Sequence, residues 1–336
     1  MRALEVTRYG GPEVLEWREA PDPVPGAGEV LVRVRAFAVN WADLLEREGR
    51  YPGQASAPFV SGHDLMGEVV ALGPGVDAPA AGTRVFATGP HVGAAAELAA
   101  VPAACAIPAP EALGDVAAAA LGAPYLTGEL AIRVLGRLAP GDSVLIHAAA
   151  GALGSACLQL CRAYGAGTIV ATAGSQEKIE RVREWGADVA VDYTRDDFVP
   201  AVLAATGGKG VDVAIDSVGG DVLGATFDCV APGGRLVCLG ASSGASTKRF
   251  RLQTLFEKGI SVAGYTLGLW IAAGVPEVTA GAQRVCELAA RGLIDPVIAR
   301  VFPAEDAAEA HRFLAGRRAI GRVVVALDPA LLEAAA

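Results

Sequence analysis

Val144-Leu145-Ile146-His147-Ala148-Ala149-Ala150-Gly151-Ala152-Leu153-Gly154 is an apolar strand that breaks into a glycine-punctuated turn and then enters a helix. A turn of this kind suits a dinucleotide pyrophosphate. Gly151 lets backbone pass close to a phosphate, Gly154 lets helix and strand approach, and the helix N-terminus offers unpaired N–H groups and a positive dipole end. A bare Gly-x-x-Gly carries little weight, since ordinary tight turns share it. The buried-type strand before it and the amphipathic run Ser155 to Tyr164 after it give the pattern meaning.

A second strand is expected over Thr168 to Ala173, where an NAD-specific site would end in an acidic residue for the ribose 2′-hydroxyl. Here the strand ends Ala171-Thr172-Ala173-Gly174-Ser175, and the next basic residue is Lys178, within reach of a 2′-phosphate. Lysine is scarce, occurring only at Lys178, Lys209, Lys248 and Lys258. Glu177 and Glu180 leave open that Lys178 is an ordinary solvated helix charge. NADPH is the expected cofactor.

Strand and helix then alternate, with strands expected at Ser143 to His147, Thr168 to Ala173, Val189 to Val191, Val211 to Asp216, Arg235 to Leu239 and Ile260 to Gly264. Helices fall near Leu153 to Tyr164, Gln176 to Trp185, Phe198 to Thr206 and Gly220 to Cys229. The pattern predicts an α/β chain with a doubly wound parallel sheet whose strand ends line one crevice. The first half is different, with short β-type runs such as Glu29 to Arg35 and Gly67 to Val70 between turns at Pro21, Pro25, Pro74 and Gly82. It reads as a β-rich domain, and the run Arg322 to Leu327 is expected to return to it.

The 336 residues suffice for two domains with sizeable cores. A net charge of −9 argues against a general nucleic-acid or anionic-membrane surface. No apolar run reaches the roughly 18 residues of a membrane span, and Arg2, Glu5 and Arg8 interrupt any signal-peptide core. The six cysteines include no C-x-x-C pair, so they are expected to be reduced, with Cys157 and Cys161 packed in a core. A cytoplasmic location follows as an expectation.

Several further segments carry a resemblance along nearly the whole chain: Tyr9-Gly10-Gly11-Pro12-Glu13-Val14-Leu15; Asn40-Trp41-Ala42-Asp43 with Arg47, Gly49, Tyr51 and Pro52; Gly73-Pro74-Gly75-Val76; Ala148 to Gly154; Asp216-Ser217-Val218-Gly219-Gly220; and Gly321-Arg322. Together they resemble the zinc-free quinone oxidoreductase branch of the medium-chain dehydrogenase/reductase superfamily. The resemblance implies a GroES-like catalytic domain over residues 1–119 completed by 293–336, a Rossmann domain over 120–292, and a homodimer. It implies cofactor contacts at Asn40, Thr127, Ala149, Ala150, Gly151, Ala152, Leu153, Gly174, Ser175, Lys178, Tyr193, Ser217, Gly240, Tyr265 and Arg322. Thr127 could alternatively cap a helix after the turn Pro124-Tyr125-Leu126.

No metal is expected. A catalytic zinc needs three protein ligands and an open position, whereas Asn40 and Ala123 occupy the positions where the zinc enzymes carry cysteine. His63 remains in Gly62-His63-Asp64, a departure from the zinc-free relatives, and is a candidate substrate contact. Without a metal, the chemistry suits hydride transfer to a quinone or to an alkene conjugated to a carbonyl. Asn40 and Tyr51 would then lie beside nicotinamide and acceptor, with Tyr51 a proton donor or only a pocket wall. Gly-Arg-Tyr-Pro-Gly around Tyr51 also resembles polyketide enoyl reductase domains, and a non-catalytic, crystallin-like NADPH-binding protein is the alternative of another class. His147 reads as a core histidine, His91 and His311 have no spaced partners, and Lys248-Arg249-Arg251 is a possible phosphate contact or a solvated face. The loops Pro90 to Ala96 and Tyr265 to Pro276 are candidates for specificity.

Overall fold

The computed structural model describes residues 1–51, 56–89, 93–247 and 252–333. Pro52, residues 90–92 with His91, and the basic group Lys248, Arg249 and Arg251 lie outside the described residues. Two compact units are present, Met1–Pro124 with Ala282–Ala336, and Tyr125–Gly281. Both junctions fall inside helices, Asp115–Glu129 and Pro276–Ala290. No helix among the described residues is long and apolar enough to cross a membrane.

The first unit is built on the long strand Glu29–Val39, which points Val30, Val32 and Val34 inward at period two. It pairs antiparallel with Asp64–Leu72 and with the closing strand Arg322–Ala326. The C-terminal strand therefore returns to the β-rich half, as the run Arg322 to Leu327 suggested. Val39 faces Val323 and Ala38 faces Asp64. That register gathers Asn40, Asp64 and Arg322 at one end of the sheet, before any side-chain contact is considered. Helix α1, Trp41–Arg47, follows directly and turns Asp43, Leu44, Glu46 and Arg47 inward.

The second unit holds strands β1 Val144–Ile146, β2 Ile169–Ala173, β3 Val189–Asp192, β4 Val211–Asp216, β5 Val230–Cys238 and β6 Ser261–Gly264. All neighbours are parallel, in the order 3-2-1-4-5-6. The order reverses between β1 and β4, which puts the ligand crevice at the carboxyl end of β1. Strand β5 begins five residues before the expected Arg235. Pro232, Gly233 and Gly234 disguise that start, because proline lacks a donor and Gly233 sits at φ +74°. The expected helix Gly220 to Cys229 ends at Thr226 and continues as a 3₁₀ turn, Phe227–Cys229.

Candidate active site

In the second unit, β1 passes through His147 and Ala148 into helix α2, Ala152–Ala163. Ala148 takes the left-handed conformation at φ +50°, a strained choice for a residue with a Cβ. A Cβ on Gly154 would stand 2.3 Å from the Ala148 carbonyl oxygen and 2.5 Å from Ala149 Cα. Only glycine permits this approach of helix to turn. Gly151 is different: it caps α2 in an extended conformation without a side-chain bond, and its Cβ would make one ordinary contact, 3.4 Å to the Ala148 oxygen. The fold does not require glycine there, but a group bound at the helix N-terminus would.

Past β2, Ser175 accepts a hydrogen bond from the Lys178 N–H at 3.3 Å and caps helix α3, Gln176–Glu184. Tyr193, just past β3, leans its hydroxyl to 2.6 Å from where a Gly174 Cβ would be. Gly174, Ser175, Lys178 and Tyr193 are thus brought together; β2 itself carries no acidic residue at its end, while Asp192 of β3, opposite Ala173, is bonded to Thr194. Ser217 and Gly240 follow β4 and β5 and touch, a Cβ on Gly240 standing 3.2 Å from the Ser217 oxygen. Thr127 lies inside the helix Asp115–Glu129 rather than at its cap, because the chain kinks earlier, at Gly122. Its carbonyl accepts a 2.6 Å hydrogen bond from the Tyr265 hydroxyl.

In the first unit, Asn40 is locked between two charges. Its Nδ2 donates to Asp64 at 3.1 Å, its Oδ1 accepts from Arg322 at 2.7 Å, and Arg322 donates directly to Asp64. Asp64 also accepts the Ala123 N–H at 3.0 Å. A Cβ on Gly122 would strike that carboxylate, 2.6 Å from Oδ1, so the kink and the contact require each other. Arg322, expected as a cofactor contact, is buried behind Asn40 and orients its amide.

His63 is buried between two carboxylates of α1. Nδ1 lies 2.5 Å from Asp43 and Nε2 lies 3.4 Å from Glu46. An imidazole that meets carboxylates at both nitrogens is doubly protonated, since only the cation has two donors. Burial opposes that charge, yet the pull of Asp43, Glu46 and Asp64 outweighs it and lifts His63 to about 9. Asp43 resists burial too, and the His63 charge and hydrogen bond together with the Asn40 N–H hold it below the usual carboxylate range. The Tyr51 ring lies against His63 at 5.7 Å between centroids. Sequence reading left Asp43, Glu46 and Asp64 without roles. The signal was present, since Asp43 and Glu46 stand three apart on one helix face.

The other described histidines are structural. His147 bonds Thr172 at 3.0 Å and Thr226 at 2.9 Å, and His311 meets Arg47 at 3.3 Å. Burial lowers each to about 4. These shifts set a pH profile of stability. Below the ordinary 6.5 the unfolded chain protonates His147 and His311 while the native protein resists, so stability falls as pH drops toward 4. His63 acts oppositely: its contribution is complete below 6.5 and is lost as pH rises through 9. Thermal unfolding across this range is expected to be highest near neutrality, and His63→Gln is expected to flatten the alkaline limb. An unchanged alkaline limb would refute the His63 assignment. All six cysteines are free, and burial pushes Cys157 up to about 12, which makes it inert core.

A 3-2-1-4-5-6 parallel sheet with this cradle, in one chain with a β-rich unit holding a buried polar cluster, is the build of a dinucleotide-using oxidoreductase. Residues 26–111 match the alcohol dehydrogenase GroES-like domain family, and residues 152–282 match the zinc-binding dehydrogenase family. The chain is 37% identical over 327 residues to a quinone oxidoreductase of Pseudomonas aeruginosa, covering 96% of this chain and 99% of that one. It is 33% identical over 328 residues to a 2-haloacrylate reductase of a Burkholderia species, covering 96% and 98%. Among solved structures, mycobacterial Rv1454c complexed with NADPH superposes with a TM-score of 0.88 at 31% identity, covering 97% of this chain and all of that one. The chain belongs to the quinone oxidoreductase family of the medium-chain dehydrogenase/reductase superfamily.

One matched family is described as zinc-binding, but this donor set does not suit a catalytic zinc. Asp43, Glu46 and His63 place ligand-type atoms within 4.8 Å of one another, yet Asp43 and Glu46 take opposite nitrogens of one ring. A metal on Nε2 would find His63 and Glu46 as direct ligands, short of the three that catalytic zinc uses. Arg322 supplies the positive charge beside Asn40 instead.

Proposed function

We propose that this protein uses NADPH to reduce a quinone or the alkene of an α,β-unsaturated carbonyl compound, with Tyr51 supplying the proton. The observation that carries the cofactor reading is the cradle of Gly151 and Gly154 with the Gly174, Ser175, Lys178 and Tyr193 group and no acidic residue on β2 or in the Gly174-Ser175 turn that follows it. When bound, NADPH supplies the hydride. The backbone from Ala149 to Leu153 and the first turn of α2 would hold its pyrophosphate. Ser175, Lys178 and Tyr193 would take the 2′-phosphate, and Thr127, Ser217, Gly240 and Tyr265 of the same unit would contact the remainder.

Asn40 can orient a polar group because Arg322 and Asp64 fix both ends of its amide. Tyr51 can donate because its phenol is neutral at pH 7: burial first, then Glu46 and Asp43, push it above its ordinary value. His63 lies beneath that ring and supports it rather than facing an acceptor.

Lys178→Ala is expected to weaken NADPH about tenfold to hundredfold, the worth of a charge-assisted bond, and to leave NADH nearly unchanged. Titration with both cofactors measures it, and equal losses would refute the 2′-phosphate reading.

The homodimer reading is supported by strand β6, the last of the sheet, whose outer edge pairs with no strand among the described residues. Val262 on it is 38% exposed, and Phe256 and Leu269 nearby in sequence are 70% and 69% exposed. A second copy pairing edge to edge across a two-fold axis would cover both β6 edges. Light scattering is expected to give a dimer and Val262→Asp a monomer, whereas a monomeric parent would overturn the reading. The free thiols favour a reducing compartment, the cytoplasm.

A further inference from the structure

Tyr265 is the first residue past β6 and ties two segments of the second unit together. Its hydroxyl donates to the Thr127 carbonyl at 2.6 Å, and burial above all lifts that phenol well above its ordinary value, so it stays a donor. Its ring packs on Trp270 at 4.6 Å between centroids, with 43° between the planes. Trp270 stands in the short helix Leu267–Ala272, where every side chain is apolar and no residue is buried. The Trp270 indole N–H has no hydrogen-bond partner among the described residues.

Strand order places this pair. Ser175, Lys178 and Tyr193 follow β2 and β3, so in the proposed reading the phosphate-bearing half of NADPH lies on that side of β1 and the nicotinamide half lies toward β4, β5 and β6. Thr127 draws Tyr265 back toward the cradle, because a Cβ on the adjoining Gly128 would stand 3.2 Å from Cys157 Sγ of α2.

We infer that Trp270, braced by Tyr265, is a specificity-determining residue that favours planar aromatic acceptors, quinones, over open-chain enones. The inference rests on the proposed reading of NADPH in this crevice. An acceptor takes the hydride only when it lies against the nicotinamide, so a ring braced on that side meets it. Stacked rings gain more than their buried area alone, and a braced side chain gives up little freedom on binding. The indole N–H suits a quinone oxygen. An open-chain enone has a carbonyl but no ring to stack.

NADPH consumption gives kcat/KM for 1,4-naphthoquinone and for methyl vinyl ketone in the parent, Trp270→Leu, Trp270→Phe and Tyr265→Phe. Trp270→Leu is expected to lower the naphthoquinone value about threefold to tenfold, through KM, and to leave methyl vinyl ketone and NADPH affinity nearly unchanged. Trp270→Phe keeps a ring and is expected to recover most of that loss. Tyr265→Phe removes only the tie to Thr127 and is expected to lower the quinone-to-enone ratio by a smaller factor, which carries the test should Trp270→Leu fail to fold. A ratio unchanged in the folded variants overturns the inference, as does a parent that reduces the enone and refuses the quinone. Where the quinone alone is reduced, its KM is the readout, and a KM that does not move overturns the inference equally. Reduction of neither acceptor by the parent overturns the reading beneath it.

Discussion

Arg322→Met is expected to lower folding stability by about 3–5 kcal/mol, the usual cost of removing one partner from a buried ion pair. Asp64 is fully buried and Arg322 is 3% exposed, so no solvent replaces the lost cation. The Asn40 and Ala123 N–H donors would remain on Asp64, but they carry no full charge. The Asn40 amide would lose its charged Oδ1 partner at the same time, loosening a group proposed to orient a bound ligand. Activity should therefore fall further than stability predicts. Urea denaturation and steady-state kinetics measure the two effects, and a stability loss under about 1 kcal/mol would place the pair outside the low-dielectric regime argued for it.

Gly154→Val is expected to abolish NADPH binding, with an affinity loss of about hundredfold or more. Its Cβ would lie within 2.8 Å of the Ala149 carbonyl carbon and closer still to Ala148, so α2 must move off the turn. Gly151→Ala separates this effect from folding. Its methyl meets only the Ala148 oxygen at ordinary contact distance, so apo stability should hold. Affinity should still fall, because the methyl occupies the space read as the pyrophosphate's. Normal binding by Gly151→Ala would contradict that use of the cradle.

The parallel sheet was legible because β1, β2 and β4 are largely apolar runs, with β2 running into Gly174-Ser175 and β4 ending on Asp216, residues that mark a strand end by their own chemistry. The start of β5 was not, since Pro232-Gly233-Gly234 breaks the apolar pattern while the backbone still pairs with β4 at Val211. The junctions between the units were equally hidden. They fall inside helices, where no change in composition marks a boundary. In the site, Asn40 and His63 stood out by residue type, but their partners come from register. Asp64 meets Asn40 because Ala38 pairs with it, and Arg322 arrives from a strand almost three hundred residues along the chain. Sequence spacing does not record such neighbours.

The most direct test of the account is NADPH consumption by the purified protein with a conjugated enone and a simple quinone in parallel, with products identified by mass spectrometry and NADH as the cofactor control. The account predicts NADPH-dependent reduction of at least one acceptor, by saturation of the enone's C=C bond or conversion of the quinone to its quinol, and much weaker use of NADH. Tight NADPH binding with neither acceptor reduced would contradict it and point to a cofactor-binding protein without this chemistry.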